Sequence, residues 1–151
     1  MKELSVYLFC FLLAKGVFAQ NKSVINPKEL PPVSNYSQVV IINEGKTAFI
    51  SGQVSVNAKG EIVGKGDLKA QTKQVFENIK TVSAASGADF NNLVKLTFYV
   101  KSKQEGALGI IREVRNEYIP ANRPPASTLL FVEGLYDPAI LIEIEAIAVL
   151  K

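Results

Sequence analysis

Residues 123–151 read RPPASTLLFVEGLYDPAILIEIEAIAVLK, and the strand pattern of the chain is clearest here. It contains two runs typical of β-strands, Ser127–Val132 and Ile140–Leu150. The intervening EGLYDPA supplies the glycine, aspartate and proline that favour a change of chain direction. We therefore expect two strands joined as a C-terminal hairpin.

The last run divides into two faces, because side chains alternate across a strand. One face is wholly apolar and consists of Ile140, Ile142, Ile144, Ala146 and Ala148. The other carries Glu143 and Glu145 among Leu141, Ile147 and Val149. A strand that is apolar on both faces is usually buried on both, so we expect the two glutamates to face a cavity or an interface. Buried carboxylates are costly unless they are paired or hydrogen-bonded, which makes these two residues the first candidates for chemistry.

Upstream segments predict further strands and two helices. The predicted strands are Gln38–Asn43, Lys46–Val56 and Asn92–Lys101, with a short edge segment at Glu61–Val63, and the predicted helices are Asp67–Ser86 and Gln104–Tyr118. The first two strands flank a tight Glu44-Gly45 turn and are expected to pair as a hairpin. Asp67 is a suitable helix N-cap, and Gly87 ends that helix.

Both helices have an apolar stripe at helical spacing. The stripes are Leu68, Val75, Ile79 and Val82 in the first helix, and Ala107, Ile111, Val114 and Tyr118 in the second, with Arg112 and Arg115 to one side. The order β-β-(β)-α-β-α-β-β predicts an α+β sandwich with both helices on one sheet face. Residues 38–151 are expected to form a single domain, preceded by an extended lead-in at 20–37. The other sheet face is too apolar to stay exposed, so it needs a partner.

Composition limits the possible chemistry. The chain has 151 residues, 48% of them hydrophobic, and a net charge of +3 without a Lys/Arg-rich cluster, so it predicts one globular domain and no nucleic-acid binding. There is no histidine, and the single cysteine is Cys10 near the N-terminus. A Ser-His-Asp triad is therefore excluded, and so are a thiol nucleophile and a conventional zinc site once the N-terminal segment is removed.

Residues 1–19 are typical of a secretory signal peptide. Lys2 precedes the apolar run Leu4–Leu13, which is too short to span a membrane, and small residues end at Ala19. The alternative is an uncleaved amphipathic helix, since charged residues lie near the apolar run. We expect cleavage after Ala19, a secreted or periplasmic location, and no membrane association afterwards.

Several motifs resemble the RidA/YjgF family, small trimeric proteins once called endoribonuclease L-PSP. PPAST followed by LIEIEAIAV is similar to the family's C-terminal signature. The upstream matches, in order, are Tyr36-Ser37-Gln38, TAFISGQ at Thr47–Gln53 and VKLTFYVKS at Val94–Ser102. The resemblance covers residues 35–151 and implies a homotrimer in which three sheets form a central barrel, with ligand clefts between subunits.

The resemblance also implies an activity. RidA-type enzymes hydrolyse reactive imines and enamines, such as 2-aminoacrylate, to a 2-keto acid and ammonia without a cofactor. By position, the catalytic glutamate falls on Glu143. The substrate-binding candidates are Tyr36, Ser51, Gly52, Gln53, Thr128 and Arg112. Each also has a purely structural interpretation: Ser51-Gly52 as a β-bulge, for example, and Glu145 as a hydrogen-bond acceptor for backbone or arginine at the trimer interface.

One motif position departs from the deaminase pattern. The motif has an arginine immediately before the Ser-Thr pair, and Ala126 stands there in this chain. The family's cleft asparagine falls near Gly109. Because alanine cannot bind a carboxylate by charge-assisted hydrogen bonds, the chain resembles the branch that lacks this arginine. We expect imine or enamine hydrolysis with an altered substrate, and the alternative is a non-catalytic trimer that binds a small molecule in the clefts.

Overall fold

The structure, a computed structural model, describes residues 22–102 and 104–150. The predicted signal peptide and its cleavage site at Ala19 lie outside this range. The elements are β1 (Lys22–Ile25), β2 (Val39–Ile42), β3 (Lys46–Val54), α1 (Leu68–Ala85), a short 3-10 helix (Phe90–Asn92), β4 (Leu93–Lys101), α2 (Ala107–Tyr118), β5 (Ala126–Val132) and β6 (Ile142–Leu150). In the described part, no helix is long and apolar enough to cross a membrane.

The main sheet has four strands in the order β3-β6-β4-β5. β6 runs antiparallel to both of its neighbours, while β5 runs parallel to β4 after the crossover through α2. Both helices pack on one face of this sheet, where one hydrophobic core holds the structure together. The predicted α+β class, with two helices on one sheet face, is confirmed.

The core follows from the alternation in β6. Ile142 and Ile144 are completely buried under the helices, and the rest of that face is buried as well. On α1, Phe76 fills the space between the helices, and its ring stacks on Tyr118 with centroids 4.9 Å apart. Burying each such side chain contributes roughly 1.5–3 kcal/mol to the stability of the fold.

The first helix begins and ends as its sequence predicts. The Asp67 carboxylate accepts a hydrogen bond from the Ala70 amide at 3.0 Å, and Gly87 adopts a φ of 82° just beyond the helix. The predicted stripe is buried except for Val82, which is partly exposed. Residues 20–37 were predicted to be an extended lead-in, and within their described part Lys22–Ile25 forms a strand, β1.

Gln71 lies within the buried stripe of α1 and fixes the entry to β6. Its Nε2 donates to the Ala139 carbonyl at 2.8 Å, and its Oε1 accepts from the Leu141 amide at 2.8 Å. A fully buried glutamine is stable here because both ends of its amide are satisfied. It therefore sets where β6, and the glutamates on it, begin.

Both predicted hairpins are wrong. β2 pairs with β1 in a separate two-stranded sheet, not with β3. β1 is held in place because Arg123 Nη2 donates to the Lys22 carbonyl at 2.7 Å and Lys22 Nζ donates to the Leu93 carbonyl. β5 and β6 are not paired either, because β4 lies between them and uses both of its edges. Turn residues predict pairing between chain neighbours, but here the α2 crossover places β5 on the far side of β4.

One smaller expectation also differs from the structure, and one residue is more buried than its type suggests. The short segment at Glu61–Val63 makes only an isolated bridge, between Ile62 and Val56, and forms no strand. Arg115, which lies beside the apolar stripe of the second helix, is only 5% exposed. The helix brings it against the segment that follows α2, where Ile119 and Pro120 lie close to it.

Candidate functional site

The sheet face opposite the helices, called here the open face, carries the polar side chains of interest. Glu143 and Glu145 of β6 lie opposite Tyr99 and Thr97 of β4, respectively, in the antiparallel register. Lys95 lies two residues before Thr97 in β4, on the same face, and is opposite Ile147. The open face therefore combines two carboxylates with an amine, a phenol and a hydroxyl.

The predicted Ser-Gly-Gln motif lies directly beside Glu143. Ile50 pairs with Ala146 and Gln53 with Ile144, so two residues of β3 stand against a single residue of β6. This is a β-bulge, which locally disrupts the ladder and re-aims side chains. A Cβ placed on Gly52 would lie 1.8 Å from the Glu143 Oε1 atom. The glycine is therefore required by the close approach of the carboxylate, and the two elements of the motif meet.

The two glutamates have different surroundings. Glu145 Oε1 accepts a hydrogen bond from the Tyr99 hydroxyl at 2.9 Å, and this bond raises the pKa of Tyr99. The acceptor role expected for Glu145 is thus present, with a tyrosine as the donor. Within residues 22–102 and 104–150, the side chain of Glu143 has no hydrogen bond or ion pair. Its carboxylate contacts the Gly52 backbone and can accept a proton from a bound water or substrate.

A cavity of about 250 Å³ lies on the same face. Its lining consists of Phe49, Ile50, Ser51, Lys95, Thr97, Glu145, Ala146 and Ile147. Lys95 Nζ donates to the Thr128 hydroxyl, so the predicted Thr128 lies at the edge of this region. Gln53 turns back, and its Nε2 donates to the Ser51 carbonyl at 3.0 Å. Glu145 lines the cavity and Glu143 does not. Glu143 lies two residues before Glu145 in β6, on the same face.

Two predicted site residues lie elsewhere. Tyr36 and Arg112 line a second pocket, of about 240 Å³, together with Phe98 and Leu129. Phe98 precedes Tyr99 in β4 and points to the helix side of the sheet, whereas Tyr99 lies on the open face. Within one chain, therefore, the structure brings Glu143, Gly52, Ser51 and Thr128 to the open face, and Tyr36 and Arg112 line a pocket on the other face. Gln53 adjoins the first group in the chain but pairs with Ile144, whose side chain is buried under the helices.

Lys95, Thr97 and Tyr99 were not among the sequence candidates. They alternate along β4 in the manner of Glu143 and Glu145 along β6, so each set could be recognised as sharing a face. The residues on β4 lie beside the glutamates on β6 because of the β4–β6 register, and no local sequence pattern specifies that register. In the described part of the chain, no group of three acidic, histidine or cysteine side chains could hold a metal ion.

Comparison with known proteins places this geometry in context. Residues 26–150 match the family described as endoribonuclease L-PSP. A RutC family protein of Pyrococcus horikoshii is 43% identical over 129 residues, which cover 84% of this chain and 97% of that protein. A 2-iminobutanoate/2-iminopropanoate deaminase of Dermatophagoides farinae is 29% identical over 131 residues, which cover 86% and 98% of the two chains.

Solved structures share the fold. The crystal structure of a member of the conserved Rid protein family from Yersinia pestis has a TM-score of 0.80 and 40% identity to this chain. That match covers 86% of this chain and 99% of the other. The sheet order and the two helices on one face are thus those of a solved relative.

Proposed function

The chain belongs to the endoribonuclease L-PSP family, also called RidA/YjgF, and on that premise we propose that it is a cofactor-independent hydrolase of reactive imines or enamines. The family includes 2-iminobutanoate/2-iminopropanoate deaminases of moderate identity to this chain. We propose further that its substrate differs from theirs, because Ala126 stands where the deaminase motif has an arginine.

The contact between Glu143 and Gly52 supports this proposal most strongly. A glycine tolerates a carboxylate oxygen at 1.8 Å from the position of its missing Cβ, and no other residue type does. The carboxylate therefore lies beside the Gly52 backbone on the open face, and no hydrogen bond within the described residues occupies its oxygens. A general base needs free lone pairs within reach of the reacting water.

The chemistry needs one carboxyl group and one water molecule. The oxygen of the water bonds to the imine carbon, and the C=N π electrons move to nitrogen. In the same step Glu143 accepts a proton from the water. The carboxyl group then returns the proton to nitrogen. The remaining hydroxyl proton of this carbinolamine moves to nitrogen as the C–N bond breaks, which yields a carbonyl compound and ammonia. An enamine enters the same sequence after it tautomerises to the imine, which adds a proton at carbon and removes one from nitrogen. Such proton transfers typically contribute about 10²–10⁴-fold to the rate.

Ala126 is the reason to propose a different substrate. It is the first residue of β5 and pairs with Lys95 in the parallel register, which places it on the open face with Thr128. Its methyl group offers no hydrogen-bond donor, so a substrate carboxylate gains nothing there. Removing such a charge-assisted bond costs about 1.5–3 kcal/mol. We therefore propose that neutral imines, without an adjacent carboxylate, are the better substrates.

We also propose that the active form is a homotrimer, with ligand clefts between subunits. The open face supports this, because Phe49 is 80% exposed in the isolated chain and Leu130, on the same face, is also exposed. Apolar surface of this kind usually marks an interface. Light scattering at micromolar concentration should give three times the chain mass, and a stable monomer would contradict the proposed assembly.

The substrate proposal is tested with imines generated in situ. An amino-acid oxidase supplies 2-imino acids, and an amine oxidase supplies neutral imines. Carbonyl formation is measured with and without the purified protein, against the spontaneous rate. We expect acceleration in both series, and a larger acceleration for the neutral imines. No acceleration of either would contradict the hydrolase proposal, and a clear preference for the 2-imino acids would contradict the role given to Ala126.

A second candidate function is a non-catalytic trimer that binds a small molecule. The observation that favours it is the position of the open-face cavity, which Glu145 lines and Glu143 does not. A ligand could occupy this space without meeting the free carboxylate. Saturable binding of a small molecule to wild type, with no turnover in either imine series, would favour this function over hydrolysis.

We propose a secreted or periplasmic location, on the pattern of residues 1–19 alone. Expression of the full sequence followed by intact-mass measurement tests this directly. We expect a mature chain that begins at Gln20, and retention of the full mass in an export-competent cell would contradict it.

A further inference from the structure

A small cavity lies at the C-terminal end of α2, apart from the residues assigned to the substrate. It measures about 10 Å³ and is called here the α2-end cavity. Its lining consists of Asn35, Arg115, Asn116 and residues of the segment 119–124 that follows the helix. Neither Tyr36 nor Arg112 lines it, so the proposed hydrolysis makes no use of this space.

Arg115 is a buried cation without a partner. The residue is only 5% exposed, and its Nε and Nη2 atoms are buried without a hydrogen-bond partner among the described residues. Burial, and secondarily the charge of Arg112, lowers the pKa of Arg115 to about 10, so the side chain remains protonated at neutral pH. A buried charge that nothing compensates is expensive.

The chain offers little negative charge to Arg115. The neighbouring Glu113 and Glu117 of α2 instead form salt bridges with Lys69 and Lys73 of α1, at 2.7 and 3.1 Å. No salt bridge reaches Arg115 from any residue within 22–102 and 104–150. Arg115 lies in the last turn of α2, where the helix dipole supplies only about half a negative charge. A full compensating charge must therefore come from outside the described chain.

Two side-chain amides beside Arg115 can also donate hydrogen bonds. Asn35 and Asn116 line the same cavity, and neither side chain is hydrogen-bonded to another residue in the described part of the chain. An amide NH₂ and a guanidinium are both donors. The polar side chains around the cavity therefore suit an acceptor that carries negative charge.

The wall of the cavity that carries Asn35 is fixed to the segment before β5. The Ser37 hydroxyl donates to the Pro124 carbonyl at 2.7 Å, and the Ser37 amide donates to the Pro125 carbonyl at 3.2 Å. Ser37 is itself buried. Asn35 and Pro124 are thereby held on the same small space as Arg115.

We propose that the α2-end cavity binds a single chloride ion, which neutralises Arg115. About 10–15 Å³ is the space that one water molecule needs, and a chloride ion is only slightly larger than water. The exposed side chain of Asn116 forms part of the rim and can move outward to admit it. A carboxylate or phosphate ligand is too large for this space, and a water molecule would leave the charge of Arg115 uncompensated.

Urea unfolding of the full, assembled protein at different chloride concentrations tests the proposal. Methanesulfonate, which is too large for the cavity, replaces chloride so that the ionic strength and its screening stay constant. An ion that binds only the folded chain should raise the folding equilibrium constant by up to about tenfold for each tenfold increase in chloride. A stability independent of chloride would overturn the proposal, and would mean that water or an acidic side chain of a second subunit fills the space.

Two substitutions locate the ion. Arg115→Met removes the buried charge and relieves the cost of burying it, so the variant is expected to fold and to lose the chloride response. Lys65→Met removes an exposed cation and should keep the response of wild type. Asn35→Asp places a carboxylate in the cavity, on a residue type that tolerates the φ of 65° found there. This variant should be more stable than wild type without chloride and respond little to it.

A wild-type chloride response in Arg115→Met or in Asn35→Asp would contradict the placement of the ion. Crystals of wild type grown in sodium bromide provide a direct view, because bromide replaces chloride and scatters anomalously. We expect an anomalous peak between Arg115 and Asn35. If the protein shows no bromide peak in this cavity, or shows one only beside Arg112 in the second pocket, the proposal is wrong.

Discussion

Gly52→Ala tests the geometry on which the proposed hydrolase rests. The added Cβ would lie 1.8 Å from Glu143 Oε1, 2.7 Å from Cδ and 2.9 Å from Cγ, so the side chain of Glu143 must move. Ordinary contact begins near 3.4 Å, which means a displacement of the carboxylate oxygen by about 1.6 Å. A misplacement of ~1 Å can cost about 100-fold in rate, so we expect kcat/KM to fall by at least about 100-fold.

The fold should tolerate this change. The atoms that the new methyl group meets belong to the flexible end of one side chain, and the backbone at Gly52 does not have a positive φ. Replacing glycine by alanine also restricts the unfolded chain, which favours folding by about 0.4–1 kcal/mol. We therefore expect the free energy of unfolding, measured by urea denaturation, to change by no more than about 1 kcal/mol.

Two further variants complete this experiment, with imine hydrolysis as the assay. Gly134→Ala meets no atom within 4 Å and should keep wild-type activity and stability. Gly52→Ala combined with Glu143→Asp shortens the displaced side chain by one methylene and should recover part of the loss relative to Gly52→Ala alone. If Gly52→Ala is as active as wild type, the position of the Glu143 carboxylate does not matter and the reasoning is refuted.

Three other predictions follow from the same structure. Gln71→Leu should lower the free energy of unfolding by about 1–3 kcal/mol for each buried backbone group left unpaired, at Ala139 and Leu141; a change below the error of urea denaturation would contradict this. Burial, with a smaller contribution from Arg123, lowers the pKa of Lys22 from 10.5 to about 8, so between these values the unfolded chain binds more protons and stability should rise with pH. The urea midpoint should increase over this range in wild type and much less in Lys22→Met, and equal pH dependence of the two would refute the assignment. Ala126→Arg should raise kcat/KM for 2-imino acids by about tenfold to hundredfold, the value of one charge-assisted hydrogen bond; a trimeric but unimproved variant would show that the cleft differs at more than this residue.

Patterns confined to one element were sufficient for most of the fold. The alternation along β6 identified which residues are buried and placed Glu143 and Glu145 together, and the Asp67 cap and Gly87 marked the ends of α1. The pairing of strands with one another could not be predicted from such local patterns. The two hairpins were expected from turn residues, but the α2 crossover and the insertion of β4 are decided by packing of the whole sheet.

For the candidate site, the residues were predicted better than the contacts between them. The contact between Gly52 and Glu143 joins β3 to β6, and the family resemblance named both residues without giving their distance. The hydrogen bond from Tyr99 to Glu145 depends on the β4–β6 register and was missed. The burial of Arg115 was not predicted, because a charged residue at the edge of an apolar stripe is usually exposed, whereas here the segment after α2 lies against it.

The most direct test of the proposed chemistry compares kcat/KM of wild type and Glu143→Gln on the imine that wild type hydrolyses best. Glutamine keeps the size of the side chain beside Gly52 but cannot accept the proton. If Glu143 is the general base, kcat/KM should fall by about 10²–10⁴-fold while the oligomeric state stays unchanged. A Glu143→Gln variant that hydrolyses the imine at the wild-type rate would contradict the assignment.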